Sequence, residues 1–181
     1  MKELSMNILD IAQNSIHADS TLVEIEIREK IEKNVLEICV KDDGRGMDAE
    51  TLAKVTDPFY TSRITRRVGL GIPMMKFAAE NCDGKFEMTS EIGKGTILEV
   101  SFRYDHIDRA PLGNIVDTIV TAVISDIEID FIYKHWINEK CFTLDTKEIK
   151  EILGEDVPLN NVDVICWIRD YLREGLKNIR Q

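Results

Sequence analysis

Four short stretches of this sequence carry residue types that do chemistry. In LDIAQNSIHAD, Leu9 to Asp19, Asp10 and Asn14 are four apart, so on a helix they share a face, and His17 lies about one turn further on. An Asn amide oxygen is a hard ligand of the kind Mg²⁺ accepts, and a carboxylate one turn away can orient water or take a proton. In VKDDGRGMD, Val40 to Asp48, acids follow an apolar alternation and two glycines flank Arg45. Glycines let the backbone turn sharply and approach a flat ligand, and an acid there can accept a hydrogen bond from an exocyclic amine such as that of adenine. In DPFYTSRITRRVGLG, Asp57 to Gly71, Arg63, Arg66 and Arg67 stand in a run without acids, and Gly69-Leu70-Gly71 leads into a helix whose N-terminus favours anions. The run lacks G-K-[ST], so it is not a P-loop. EIGKGTILEV places Gly93 and Gly95 around Lys94 in a tight hairpin. Taken singly, each stretch also has an ordinary structural reading: a wet helix face, a turn after a strand, a solvated loop, a hairpin.

The elements that must position these residues follow from periodicity. Leu4, Ile8, Ile11, Ala12 and Ser15 form one helical stripe over 3–16. Val23, Ile25 and Ile27 alternate with charged residues over 21–28, and Leu36, Ile38 and Val40 alternate again after an EKN turn, which predicts a hairpin. Helices are expected over about 49–55 and 71–81, then strands over 85–90 and 96–102. The order helix, hairpin, helix, helix, hairpin points to an α+β sandwich rather than a doubly wound sheet. A compositional change near Tyr104 divides the chain into residues 1–104 and a small C-terminal α+β appendage over 105–181. There a helix is expected at 112–125, strands at 127–133 and 140–144, and helices at 146–153 and 161–179, with Asp145 or Thr146 as a cap. Such a short tail is expected to pack on the first part or on a partner.

In order and spacing, the four stretches together resemble the Bergerat ATP-binding fold of the GHKL superfamily, which includes histidine kinases, anti-sigma kinases, Hsp90, gyrase and MutL-type proteins. LDIAQNSIHAD resembles the N box, DDGRGMD the D-x-G-x-G box, DPFY the F box, and VGLGI with SEIGKGTILEVSF the later glycine boxes of histidine kinases. The likeness covers roughly residues 3–103. It implies a two-layer α/β sandwich with a mixed sheet and helices on one face, and ATP and Mg²⁺ as cofactors. Asn14 would hold Mg²⁺ on the triphosphate, and Asp42 would accept the adenine amine, with Gly44 and Gly46 shaping that pocket and Met47 beside them. Thr96 would sit at the adenine end and Phe59 near the hinge of a lid. Gly69, Leu70 and Gly71 would bring backbone to the phosphates, with Arg63, Arg66 and Arg67 as cations. His17 falls where histidine kinases often carry a phosphate-contacting base. Three positions depart from the pattern. Asp10 stands where hydrolysing members place Glu, Arg67 replaces the first glycine of the G-x-G-L-G run, and the stretch from Phe59 to Gly69 is very short for a lid.

One further stretch, HIDRAPLG, has the H-x-x-R-x-P-L spacing of a histidine-kinase phosphoacceptor segment at His106, Arg109, Pro111 and Leu112. The position after the histidine, acidic in that motif, is Ile107, and an imidazole without a carboxylate partner is a poorer nucleophile. The other reading is a linker whose Pro111 starts the next helix. Histidine kinases carry phosphoacceptor helices ahead of the ATP domain, and only a couple of residues precede the first helix expected here. Two functions therefore stay open: an ATP-dependent protein kinase or slow ATPase with Asp10 as proton acceptor, or a nucleotide-sensing module with negligible turnover that grips a partner. Among the partners, a protein target or phosphorylation substrate is expected, and the apolar helix at 112–125 offers a homodimer contact. A net charge of −10 argues against nucleic acid, which calls for a basic stripe. No apolar run is long enough for a membrane span, the N-terminus lacks a signal-peptide pattern, and Cys39, Cys82, Cys141 and Cys166 form no C-x-x-C pair. The expected compartment is the cytoplasm, with no membrane attachment.

Overall fold

The computed structural model describes residues 3–57 and 70–181. The chain opens with helix α1 (Leu4–His17), whose apolar stripe Leu4, Ile8, Ile11 and Ala12 is fully buried or nearly so. Strands β1 (Leu22–Lys30) and β2 (Val35–Asp42) follow as an antiparallel hairpin around a 3-10 turn at Ile31–Lys33. Helices α2 (Ala49–Val55) and α3 (Gly71–Glu80) precede a second hairpin, β3 (Lys85–Glu91) and β4 (Gly95–Arg103). The remainder is helix α4 (Ile115–Ser125), strands β5 (Asp130–Ile137) and β6 (Lys140–Asp145), and helices α5 (Thr146–Leu153) and α6 (Val162–Arg180). This is the expected α+β fold, a mixed six-stranded sheet in the order β3-β4-β2-β1-β5-β6. Val23, Ile25 and Ile27 turn into the buried core, on which α1 packs, while Glu24, Glu26 and Arg28 turn away, as a strand period of two requires.

Two expected boundaries move, for local reasons. The strand expected at 127–133 begins at Asp130, because the Asp126 carboxylate accepts from the Glu128 N–H and turns the chain first. The helix expected from 112 begins at Ile115, capped by the Asn114 side chain, which accepts from the Asp117 N–H. Asp145 is the cap of α5 and accepts from the Lys147 N–H.

The C-terminal residues, expected as a small appendage, extend the same sheet. Strand β5 lies parallel to β1, from Leu22 opposite Asp130 to Glu29 opposite Ile137, and β6 closes the edge. The apolar residues Ile115, Ile119, Val120 and Val123 of α4 are buried in the shared core between α1 and α6, so that stripe is occupied within the chain. The HIDRAPLG segment also has a structural job. The first amides of α1 have no side-chain cap; instead the Leu4 N–H donates to the Pro111 carbonyl and the Ser5 N–H to that of Leu112.

A buried polar cluster joins the two parts. His135, fully buried on β5, sits 2.7 Å through Nε2 from Glu29 Oε1 on β1 and 2.6 Å through Nδ1 from the Tyr133 hydroxyl. The Tyr104 hydroxyl donates to Glu29 Oε2 at 2.8 Å, and Arg180 at the end of α6 lies 3.5 Å from Glu29 Oε1. Burial pushes the Glu29 carboxyl up, but the hydrogen bonds from His135 and Tyr104 and the nearby charges outweigh it and hold the carboxyl below its ordinary value. Because the folded value is depressed, Glu29 adds stability above its ordinary 4.5, and that stability is lost as pH falls through the folded value. Glu29→Ala leaves His135 and Tyr104 without their acceptor, and we expect it to cost about 3 kcal/mol in urea denaturation at pH 7. A loss within about 0.5 kcal/mol, the range of a surface change, would contradict a joining role.

Candidate functional site

Strand β2 ends at Asp42, opposite Thr96 of β4 and Val23 of β1. The Asp42 side chain is 7% exposed and held at both oxygens: Oδ2 accepts from the Ser15 hydroxyl at 2.7 Å and Oδ1 from the Gly44 N–H at 3.0 Å. The neighbouring acid does a different job. Asp43 accepts from the N–H groups of Thr21 and Leu22 and from the Thr21 hydroxyl, pinning the β2 exit to the β1 entry. Burial pushes its carboxyl up, but those donors prevail and hold it below the ordinary value.

The glycine turn that follows is fastened from two sides. Gly46 has φ +67°, the left-handed region that glycine adopts without strain, and a Cβ there would overlap the Glu91 carbonyl. The Arg45 N–H donates to the Ala18 carbonyl and the Arg45 carbonyl accepts from the Gly93 N–H, both at 2.8 Å. The Arg45 guanidinium donates to the His17 carbonyl and pairs with Asp19. The Ser90 hydroxyl accepts from the Met47 N–H and meets the Thr96 hydroxyl at 2.9 Å. Asp48 caps α2 through the Thr51 N–H. The end of α1, the β2 turn and the β3–β4 hairpin thereby form one frame.

This frame encloses a cavity of about 1150 Å³. Asn14, His17, Asp42, Gly46, Met47 and Thr96, all expected on sequence, line it. Between them lies an apolar wall that includes Ile11, Val40, Met88 and Leu98. The Asn14 amide nitrogen is sealed from solvent and has no hydrogen-bond partner among the described residues. Gly44 lies just behind the wall, where a Cβ would come 2.6 Å from the Ala18 carbonyl oxygen. Leu70 precedes α3 and is about half exposed. Gly71 starts α3 against α1: a Cβ there would lie 2.7 Å from the Asp10 Cβ. Asp10 is thus one turn back from Asn14, at the α1–α3 contact and off the cavity wall, and burial raises its carboxyl above the ordinary value. Phe59, Arg63, Arg66, Arg67 and Gly69 lie outside the described residues.

His106 is not brought to this site. Thr96 and Arg103 are seven residues apart on β4, which at strand rise is about 23 Å, and His106 lies beyond the far end. Its Nδ1 accepts from the Asp108 N–H at 3.1 Å. The nearest carboxylate oxygens, of Asp83 and Asp108, stand 3.8 and 3.9 Å away, outside hydrogen-bond range. Three contributors escaped the sequence reading. Ser15 is the donor that fixes Asp42, Ser90 joins Met47 to Thr96, and Arg45 ties the turn to α1. A serine or arginine has no local pattern that marks a partner more than twenty residues away.

Comparison with known proteins agrees with this geometry. Residues 1–106 match the family of histidine kinase-, DNA gyrase B-, and HSP90-like ATPases. Sporulation kinase C of Bacillus subtilis is 38% identical over 63 residues, which is 35% of this chain and 14% of that protein. Sporulation kinase E of the same organism is 32% identical over 103 residues, 56% of this chain and 13% of that protein. The Non-motile and phage-resistance protein of Caulobacter vibrioides is 30% identical over 115 residues, 60% of this chain and 14% of that protein. The chain therefore spans only a small part of the length of these relatives. Among the described residues, no helix is long and apolar enough to cross a membrane. A mixed sheet under one layer of helices, a fixed acid at the end of β2 and the family match agree: the chain belongs to the histidine kinase-, DNA gyrase B- and HSP90-like ATPases, and residues 1–106 are their ATP-binding domain.

Proposed function

We propose that this chain binds ATP with Mg²⁺ in the cavity beside α1 and acts in signalling as a kinase or ATPase that phosphorylates or conformationally controls a partner protein. The observation that carries this is Asp42, nearly buried at the cavity wall with each carboxylate oxygen fixed by a donor. Each oxygen keeps further acceptor capacity, so Asp42 can take the adenine amine, with Thr96 opposite it and the apolar wall receiving the flat base. Asn14 lines the same cavity, and its amide oxygen is the kind of hard ligand that Mg²⁺ accepts. A bound Mg²⁺ would neutralise charge on the phosphates. Asp10, one helical turn away, is the proton acceptor for the attacking group. Burial brings its carboxyl closer to the range in which a general base works near neutral pH.

Two observations favour a second reading, a nucleotide-sensing module with negligible turnover. Asp10 is one methylene shorter than the Glu of hydrolysing members and lies against Gly71, off the cavity wall. His106 lies at the far end of the sheet from the cavity.

Titration of a fluorescent ATP analogue with and without Mg²⁺ checks the nucleotide site. Asp42→Asn turns one acceptor into a donor facing the amine, and we expect at least a tenfold loss of affinity, about 1.4 kcal/mol. Unchanged affinity would remove Asp42 from the adenine site. For turnover, a base with a raised pKa is lost to protonation before an ordinary carboxylate is. The rate should therefore fall with decreasing pH through a value above 3.8, and Asp10→Asn should lack that limb. With γ-labelled ATP, turnover no faster than that of Asp10→Asn would select the sensing module instead.

A further inference from the structure

Asn7, Asp10 and Asn14 fall on one flank of α1, at steps of three and four, and the contact with Gly71 shows that this flank faces the first turn of α3. A Cβ at Gly71 would lie 3.4 Å from both Asp10 Oδ2 and the Asn7 carbonyl, so backbone, acid and amide residue are pressed together there. Asn7 is 5% exposed, and its amide nitrogen is sealed from solvent without a hydrogen-bond partner among the described residues. Such a donor costs free energy that a leucine of similar volume would not, and the other large buried residues of α1 are indeed aliphatic: Leu4, Ile8 and Ile11. Packing does not explain an asparagine at this place.

We infer that Asn7 is a positioning residue for Asp10: its amide N–H holds the Asp10 carboxylate when that group ionises. This role rests on Asp10 being the proton acceptor. Side chains three apart on a helix have Cβ atoms roughly 5–6 Å from each other, within reach of an amide closing on a carboxylate. A neutral acid can sit half-buried without a donor, but a carboxylate in the same place needs one. The first turn of α3, Gly71-Ile72-Pro73-Met74, brings no charged side chain, and on α1 His17 lies about two turns on. The start of α3 adds the positive end of its dipole, which is the same in every variant of Asn7.

The test uses the full chain without nucleotide. By ¹⁵N NMR, the Asn7 side-chain amide should shift with the ionisation of Asp10 and stay constant with pH in Asp10→Asn. By ¹³C NMR, Asn7→Leu should raise the proton affinity of Asp10 by about tenfold, while Asn7→Ser, which keeps a donor, recovers part of it. Asn7→Leu should melt no lower than the native chain. Where turnover is measurable, its acid limb should move up with Asp10 while KM for ATP stays unchanged. A flat Asn7 resonance in the native chain, or an Asp10 that titrates alike with and without Asn7, overturns the pairing. An Asp10 that responds to Asn7 in a chain whose Asp10→Asn variant turns over ATP normally would keep the pairing and remove the base.

Discussion

The hydrogen bond from the Ser15 hydroxyl to Asp42 sets the distance between α1 and the end of β2, and the site depends on that distance. It joins two elements whose other constraints are independent. Helix α1 is positioned by its buried stripe and by the carbonyls of Pro111 and Leu112 at its start. The end of β2 is positioned by its ladders to β1 and β4 and by the Asp43 carboxylate. With both ends fixed, Asn14 and Asp42 line one cavity whose shape is set by the fold and not by their own rotamers.

The C-terminal residues matter to that constraint although they lie outside the matched region. Strand β5 gives β1 a second neighbour, so β1 is interior in the sheet. Helix α4 packs on α1, as α3 does, and Pro111 and Leu112, just ahead of α4, cap α1. The cluster around Glu29 and His135 draws on β1, β5, the end of β4 and α6 together. A cluster of buried polar groups contributes little net free energy, but it is costly to satisfy in any other register. It therefore fixes how β5 lies on β1 more than it adds stability.

HIDRAPLG shows how a motif can be legible and its role still depend on tertiary placement. The spacing of His106, Arg109, Pro111 and Leu112 is plain in the sequence. In the structure the carbonyls of Pro111 and Leu112 close the N-terminus of α1, Arg109 holds the Tyr104 carbonyl, and His106 lies beyond the end of β4 that is distant from the cavity. Short motifs specify local geometry; what lies nearby is decided by strands and helices distant in sequence.

The sequence by itself determined the element order, since periods of two and near four report which side of each segment is apolar. It also singled out Asn14, Asp42 and the glycine turn, which the structure brings to one cavity, because an amide, an acid and a turn-forming glycine are properties of single residues at fixed local spacing. Only the tertiary structure decided that β5 joins β1 in parallel, that the apolar side of α4 is buried within the chain, that Ser15 and Ser90 hold the site, and that Asn7 lies sealed beside Asp10. The first three are pairings between residues far apart in the chain, and the last depends on α3 packing against α1. Hydrophobic patterning says that such a surface will be covered, but it does not say by what.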